Sequence, residues 1–308
     1  MESLGLFQFR IIVIIFFITA RLYYIIEDKD MRNAILHSVS RRLFSKENKS
    51  LFLELVRTDF KLRYQGSFIG YAWSLLKPLL LFVILYIVFV YFLKVGRDIE
   101  HYPVYLLLGI VMWNFFTEMT VQSLGSIVGR GDLIRKIKIP RWMIVLATSA
   151  SASINLFFSL LVVFIFMAVN GVPVTLAGVG MLLLYVAITY VFALGISFLL
   201  SALYVRFRDV SYIWEIVLQA GFYATPIIYP LQMVKNVFIE KILILNPLAL
   251  VIQGARHDLI NSEQTLSFAT LWGSRPVMIV VSLSIIVIFI VVGIAYFKKQ
   301  SRYFAENI

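Results

Sequence analysis

Six stretches of this sequence are apolar enough to lie in a bilayer: 71–93, 103–127, 142–169, 176–204, 210–224 and 277–297. Hydrocarbon about 30 Å thick takes about 20 apolar residues of helix to cross. The chain therefore reads as an all-α polytopic membrane protein with six transmembrane helices, of which the fifth is the shortest. Composition agrees, since 61% of the 308 residues are hydrophobic and 15% are charged. An ordinary soluble domain is roughly half apolar and about a quarter charged. Cysteine is absent, which excludes a disulfide framework and thiol chemistry. His37, His101 and His257 are scattered and show no metal-ligand spacing, so no metal site is expected.

The net charge of +11 would suit a nucleic-acid binder, but its placement argues otherwise. Seventeen Lys and Arg residues fall on the side of the 41–64 segment, the loops 129–141 and 204–210, and the C-terminal tail. The opposite side holds six: Lys94, Arg97, Lys235, Lys241, Arg256 and Arg275. The positive-inside rule puts the first side, with the C-terminus, in the cytoplasm. The positive charge then follows from topology and contact with membrane lipids, and no nucleic-acid partner is expected.

A charged segment runs directly into the first span. Wound at about 100° per residue, 51–64 places Leu51, Phe52, Leu53, Leu55, Val56, Phe60, Leu62 and Tyr64 on one broad arc. Glu54, Arg57, Thr58 and Lys61 cover the rest, which predicts a cytoplasmic amphipathic interface helix. Asp59 and Arg63, four apart in the favourable order, fall inside the apolar arc. They read either as a helix-stabilising ion pair on a membrane-surface anchor or as a pair facing a protein partner. Gly66 and Gly70 mark the turn into the membrane, and Pro78 predicts a kink or a free carbonyl in the first span.

The loop 130–141 reads RGDLIRKIKIPR and sets Leu133, Ile134, Ile137 and Ile139 against Arg135, Lys136 and Lys138. A headgroup anchor would fit that pattern; a short docking helix entering a groove of another protein fits better. The loop YVRFRDV (204–210) again mixes base, acid and aromatic, with Arg206 and Arg208. Nothing in the chain matches G-x-x-x-x-G-K-[ST], the loop whose amides cradle phosphate. No catalytic residue and no bound cofactor are expected, and any ATP would come with Mg on a separate subunit.

Charges inside spans are costly and usually functional. The two carboxylates there are Glu118 and Glu215. Asn114, Glu118 and Gln122 share one face at i, i+4, i+8, and Glu215 with Gln219 repeats the spacing. Such a ladder serves either interhelical hydrogen bonding or the lining of a path for a hydroxyl-rich substrate. Trp113, Phe116 and Tyr223 belong to an aromatic set near span ends, which suits an interfacial belt or stacking on sugar rings. The stretch 225–260 is apolar but broken by Pro226, Pro230 and Pro247, with Tyr229 between. It predicts two short re-entrant helices on the outer side, between the fifth and sixth spans. Irregular backbone at that depth needs protein or water around it, as at a protected pore mouth.

Two other classes fit less well. A secondary transporter calls for a mid-membrane ion site and often inverted repeats, and neither is visible. A membrane glycosyltransferase calls for two acids paired outside the bilayer, and Glu240, Asp258 and Glu263 do not form such a pair in the sequence. Residues 4–26 are apolar but interrupted by Arg10 and Arg21. This stretch reads as an interfacial helix, as a seventh span with snorkelling arginines, or as sequence upstream of a natural start at Met31.

Taken in order, RTDFKLRYQGSFIGYAW, LIRKIKIPR, YVRFRDV, FYATPIIYP, NPLA and a terminal FAENI resemble the membrane subunit of type-2 ABC exporters of polysaccharides and polyol phosphates. These are the O-antigen, capsule and teichoic acid permeases, and the resemblance covers about 41–308. It implies a homodimer in a bacterial plasma (inner) membrane, carrying two nucleotide-binding ATPase subunits. It implies docking of those subunits on Arg57, Asp59, Lys61, Arg63, Leu133, Ile134, Arg135, Lys136, Lys138, Arg206 and Arg208. It implies a lipid-linked glycan, O-antigen-like, passing between protomers, with outer gate helices at the proline-broken stretch. Teichoic acid, capsule, or a drug or small lipid are alternative cargoes of the same fold. The expected organisation is an N-terminal extension (1–30), a cytoplasmic segment with the interface helix (31–66) and a transmembrane domain (67–308).

Overall fold

The computed structural model describes residues 46–64, 70–94, 101–136, 139–234, 236–260 and 276–307. The predicted 1–30 extension and Lys138 lie outside the described residues. The chain divides into two units with the boundary inside the first described helix, between Leu55 and Val56. That helix, α1, is Lys46–Tyr64. All the geometry below belongs to the second unit.

Among the described residues every regular element is helical. Helix α2 is Trp73–Tyr86, continued by a π-helical turn Ile87–Phe92. It runs through Pro78, which has no N–H to give the Ser74 carbonyl. Helix α3 is Tyr102–Ser126, and the short α4 is Gly131–Lys136. Helices α5 (Arg141–Val169) and α6 (Leu176–Arg206) follow. Helix α7 is Val210–Ala224, α8 is Val237–Leu245 and α9 is Pro247–Ile260. Helix α10 is Pro276–Gln300 and α11 is Phe304–Asn307.

Among the described residues five helices are long and apolar enough to span a membrane: α2 with its π turn, α3, α5, α6 and α10. Helix α7 occupies the predicted fifth span, but at 1.5 Å per residue its 15 residues reach only about 22 Å. The proline-broken stretch forms α8 and α9, bent by 92° at their junction. Asn236 caps α8 by accepting from the amides of Phe238 and Ile239.

Of the long apolar helices α3 is the most deeply buried, and its first half is apolar on all sides. Val104, Tyr105, Leu106, Leu107 and Leu108 are each at most 1% exposed, as expected for a helix surrounded by others. It packs on α5 and α6, and α6 packs on α10 and α9. Gly195 and Gly293 let α6 and α10 approach to backbone contact: a Cβ on Gly293 would sit 2.0 Å from the Gly195 carbonyl oxygen. Small residues play this part where lipid removes the hydrophobic drive between helices. Buried hydroxyls bond back to their own helix, as Ser123 does to the Met119 carbonyl (2.7 Å), or across, as Ser197 does to the same carbonyl (3.3 Å). A second apolar cluster gathers Ile127, Ile144, Phe198, Phe297 and Phe304 where α3 ends and α10 ends. It explains the terminal FAEN, which folds back so that Phe304 stands edge-on to Phe297 (5.4 Å).

Candidate functional site

The i, i+4, i+8 spacing of Asn114, Glu118 and Gln122 holds in α3, and that face borders a cavity of about 860 Å³. Helix α2 contributes Trp73 and Lys77, α5 contributes Asn155 and Ser159, and α7 contributes Ser211, Trp214 and Glu215. The volume falls within the range of small-molecule clefts. Glu118 is the hub: its Oε1 accepts from Gln122 Nε2 at 2.8 Å and also from Asn155 Nδ2 across the α3–α5 contact. Trp214 is fixed by Nε1 donating to Thr120 Oγ1 at 3.1 Å. The arrangement offers amides, hydroxyls, carboxylates, a lysine and two indole faces in one hollow, groups able to hydrogen-bond and to stack on flat faces.

Of the other residues expected on the path, Trp113 and Phe116 are buried and do not border this cavity. Phe116 stacks on Phe192 at 5.6 Å, and Trp113 stands edge-on to Phe222 at 5.9 Å. Gln219 and Tyr223 are exposed on α7, away from the cavity lining. Sequence reasoning missed Lys77, Asn155 and Ser159. Lys77 lies within the first span, where a lone base should have drawn notice. Asn155 and Ser159, four apart in an apolar helix, repeat the spacing that marked α3.

Just beyond the C-terminal end of α3, Asp59 forms an ion pair with Arg130, both largely buried at 13% and 17% side-chain exposure. Acid and base four residues apart suggested Arg63 as the partner. The side chain of Arg63 lies outside the described residues; the partner described, Arg130, comes from a different chain segment. Burial lowers the Arg130 pKa from the usual arginine range. Removing one partner strands a charge, which costs about 3–5 kcal/mol in a fully buried pair and less here. Asp59→Asn and Arg130→Gln are each expected to lower the melting temperature of the purified protein. The double variant should lose less than the sum; strict additivity would show that the pair contributes nothing.

The 130–141 pattern divides between inside and outside. Ile134 packs partly on the Ile127–Phe304 cluster and Ile139 is buried, so these isoleucines serve the chain's own core. Leu133 is half-buried, and Arg135 and Lys136 are exposed. Arg57, Lys61, Arg206 and Arg208 are also exposed. Arg208 lies over the Tyr204 ring at 5.1 Å and Arg206 over the Phe207 ring at 5.2 Å.

Of the residues expected at an outer gate, Pro226, Pro230 and Pro247 are buried and Tyr229 is half-buried. The turn after α7 is held by side chains. Tyr102 donates to the Ile228 carbonyl (2.7 Å), and Asn246 Nδ2 donates to Thr225 Oγ1 (2.9 Å). Arg256, which the charge count placed among the outer-surface bases, is fully buried in α9. Its hydrogen bonds to backbone carbonyls supply what water would have given; no sequence pattern announced them.

A family model described as ABC-2 type transporter matches residues 50–260. An O-antigen export system permease protein RfbA of Klebsiella pneumoniae is 30% identical over 256 residues, covering 83% of this chain and 94% of the relative. A protein of the same name from Myxococcus xanthus is 26% identical over 263 residues, covering 84% and 96%. The polysialic acid transport protein KpsM of Escherichia coli is 25% identical over 212 residues, covering 68% and 79%. With more than half of its length matched and its long apolar helices in place, the chain is a multi-pass membrane protein of the ABC-2 type transporter family.

Proposed function

We propose that this chain is the membrane subunit of an exporter that moves a lipid-linked polysaccharide, O-antigen-like, from the cytoplasmic to the outer face of a bacterial plasma membrane. The observation that carries the reading is the cavity that sets a cluster of polar side chains centred on Glu118 among apolar walls, flanked by Trp73 and Trp214. Relatives named for O-antigen export support the cargo class. The chain forms a homodimer with the path between protomers. Two ATPase subunits, which bring ATP and Mg, dock on the cytoplasmic side. That side carries the exposed bases Arg57, Lys61, Arg135, Lys136, Arg206 and Arg208, and the C-terminus. The 31–66 segment supplies the interface helix, and 67–308 forms the transmembrane domain. Helix α7 is the fifth of six spans, and α8 with α9 forms the re-entrant outer gate. The similarity to a polysialic acid transport protein supports capsule polysaccharide as the second reading of the cargo.

The test is Glu118→Ala in a cell that depends on this chain for surface glycan. The expected result is loss of most surface glycan with normal amounts of protein in the membrane. Undiminished surface glycan at normal protein level would remove Glu118 from the path and return it to helix–helix bonding.

A further inference from the structure

Arg256 is 0% exposed and holds three main-chain carbonyls at once. Its Nε donates to Tyr105 (3.0 Å), Nη1 to Pro226 (2.7 Å) and Nη2 to Ile227 (2.6 Å). The guanidinium lies 3.5 Å from the centroid of the Tyr105 ring, close enough for cation–π attraction. A buried charge is costly unless fully hydrogen-bonded. Only the flat, five-donor fork of arginine reaches carbonyls on two separate segments in this way. Gly109 makes the room: a Cβ there would lie 2.1 Å from Arg256 Nη2.

The segments joined are the first turn of α3, the Thr225–Ile228 turn and α9. That turn leaves α7, which lines the cavity with Ser211, Trp214 and Glu215. Leu218 is the one buried residue of α7 among those described, while Tyr212 is 69% and Ile216 is 66% exposed. The helix is therefore lightly embedded: beside the Trp214–Thr120 bond, hydrogen bonds hold it at the turn that follows it. Helix α7 thus connects the cavity directly to the turn whose carbonyls Arg256 holds.

We propose that Arg256 is the positioning residue of the outer closure. It pins the Thr225–Ile228 turn to the start of α3 and so keeps the path sealed at rest. This rests on the reading of 225–260 as an outer gate. Opening the path releases the Pro226 and Ile227 carbonyls while Tyr105 retains the guanidinium, so Arg256 acts as a latch between α7 and the gate.

The full-length chain is reconstituted without nucleotide in phosphatidylethanolamine–phosphatidylglycerol vesicles loaded with carboxyfluorescein. The wild type should hold the dye. Arg256→Met, with unchanged elution and helicity, should release it several-fold faster, and Arg256→Lys should fall between. A merely structural role would lower yield and melting temperature without a leak. Folded but tight Arg256→Met vesicles would overturn the proposal. Should that variant not fold, Gly109→Ala and Tyr102→Phe decide: a leak in either supports the latch, and tight vesicles from both overturn it. Export is measured separately with the ATPase subunit added. Wild-type vesicles that move no glycan would defeat the exporter reading, whereas tight variants beside normal wild-type export would defeat the latch alone.

Discussion

Reversing Arg135 and Lys136 to glutamate is expected to abolish export. Both side chains are exposed at the end of α4, whose apolar residue Ile134 is already committed to the chain's own core. The helix is thus held in place from within, and its basic end is left exposed. Turning attraction into repulsion across an interface costs several kcal/mol; about 3 kcal/mol corresponds to roughly a hundredfold in affinity. The ATPase subunit should no longer co-purify with the double variant, and surface glycan should fall with it. The variant itself should melt as the wild type does, because neither side chain is buried. Normal co-purification and export would remove α4 from the docking surface and leave the exposed bases as lipid contacts.

Gly293→Ala should be the most damaging single methyl in the protein. The added Cβ lies 2.0 Å from the Gly195 carbonyl oxygen, and the neighbouring atoms are backbone, which cannot swing aside. Overpacking a core costs typically about 1–3 kcal/mol, and a backbone clash belongs at the upper end. Stability of a folded protein is only about 5–15 kcal/mol. Helices α6 and α10 must part, and α6 also carries the contacts to α3 and α9. The expected outcome is a large loss of folded protein and a lower melting temperature. Gly125→Ala is the control, since a methyl there would meet no neighbouring atom within 4 Å and alanine favours helix. Equal melting temperatures for the two variants would show that the α6–α10 seam relaxes freely.

The polar ladder in α3 was legible because 3.6-residue periodicity is local: spacing alone puts Asn114, Glu118 and Gln122 on one face. What that face meets was not legible. Asn155 and Lys77 come from helices whose position relative to α3 depends on packing along their whole length. The same limit explains Asp59. An i+4 base is the candidate that spacing offers; that Arg130 meets Asp59 from beyond the end of α3 is visible only in the fold. Arg256 is the sharpest case. A basic residue near a loop reads as a surface charge, and only three converging carbonyls make its burial tolerable.

By itself the sequence determined the apolar stretches that become helices, the side on which positive charge collects, the absence of a nucleotide motif and the kinship with ABC-2 transporters. These depend on composition and short-range spacing, which survive without knowledge of neighbours. Only the tertiary structure decided which polar groups share the cavity, which base neutralises Asp59 and which carbonyls hold Arg256. Those pairings depend on helices brought together from distant parts of the chain, where geometric fit and hydrogen-bond satisfaction select the partner.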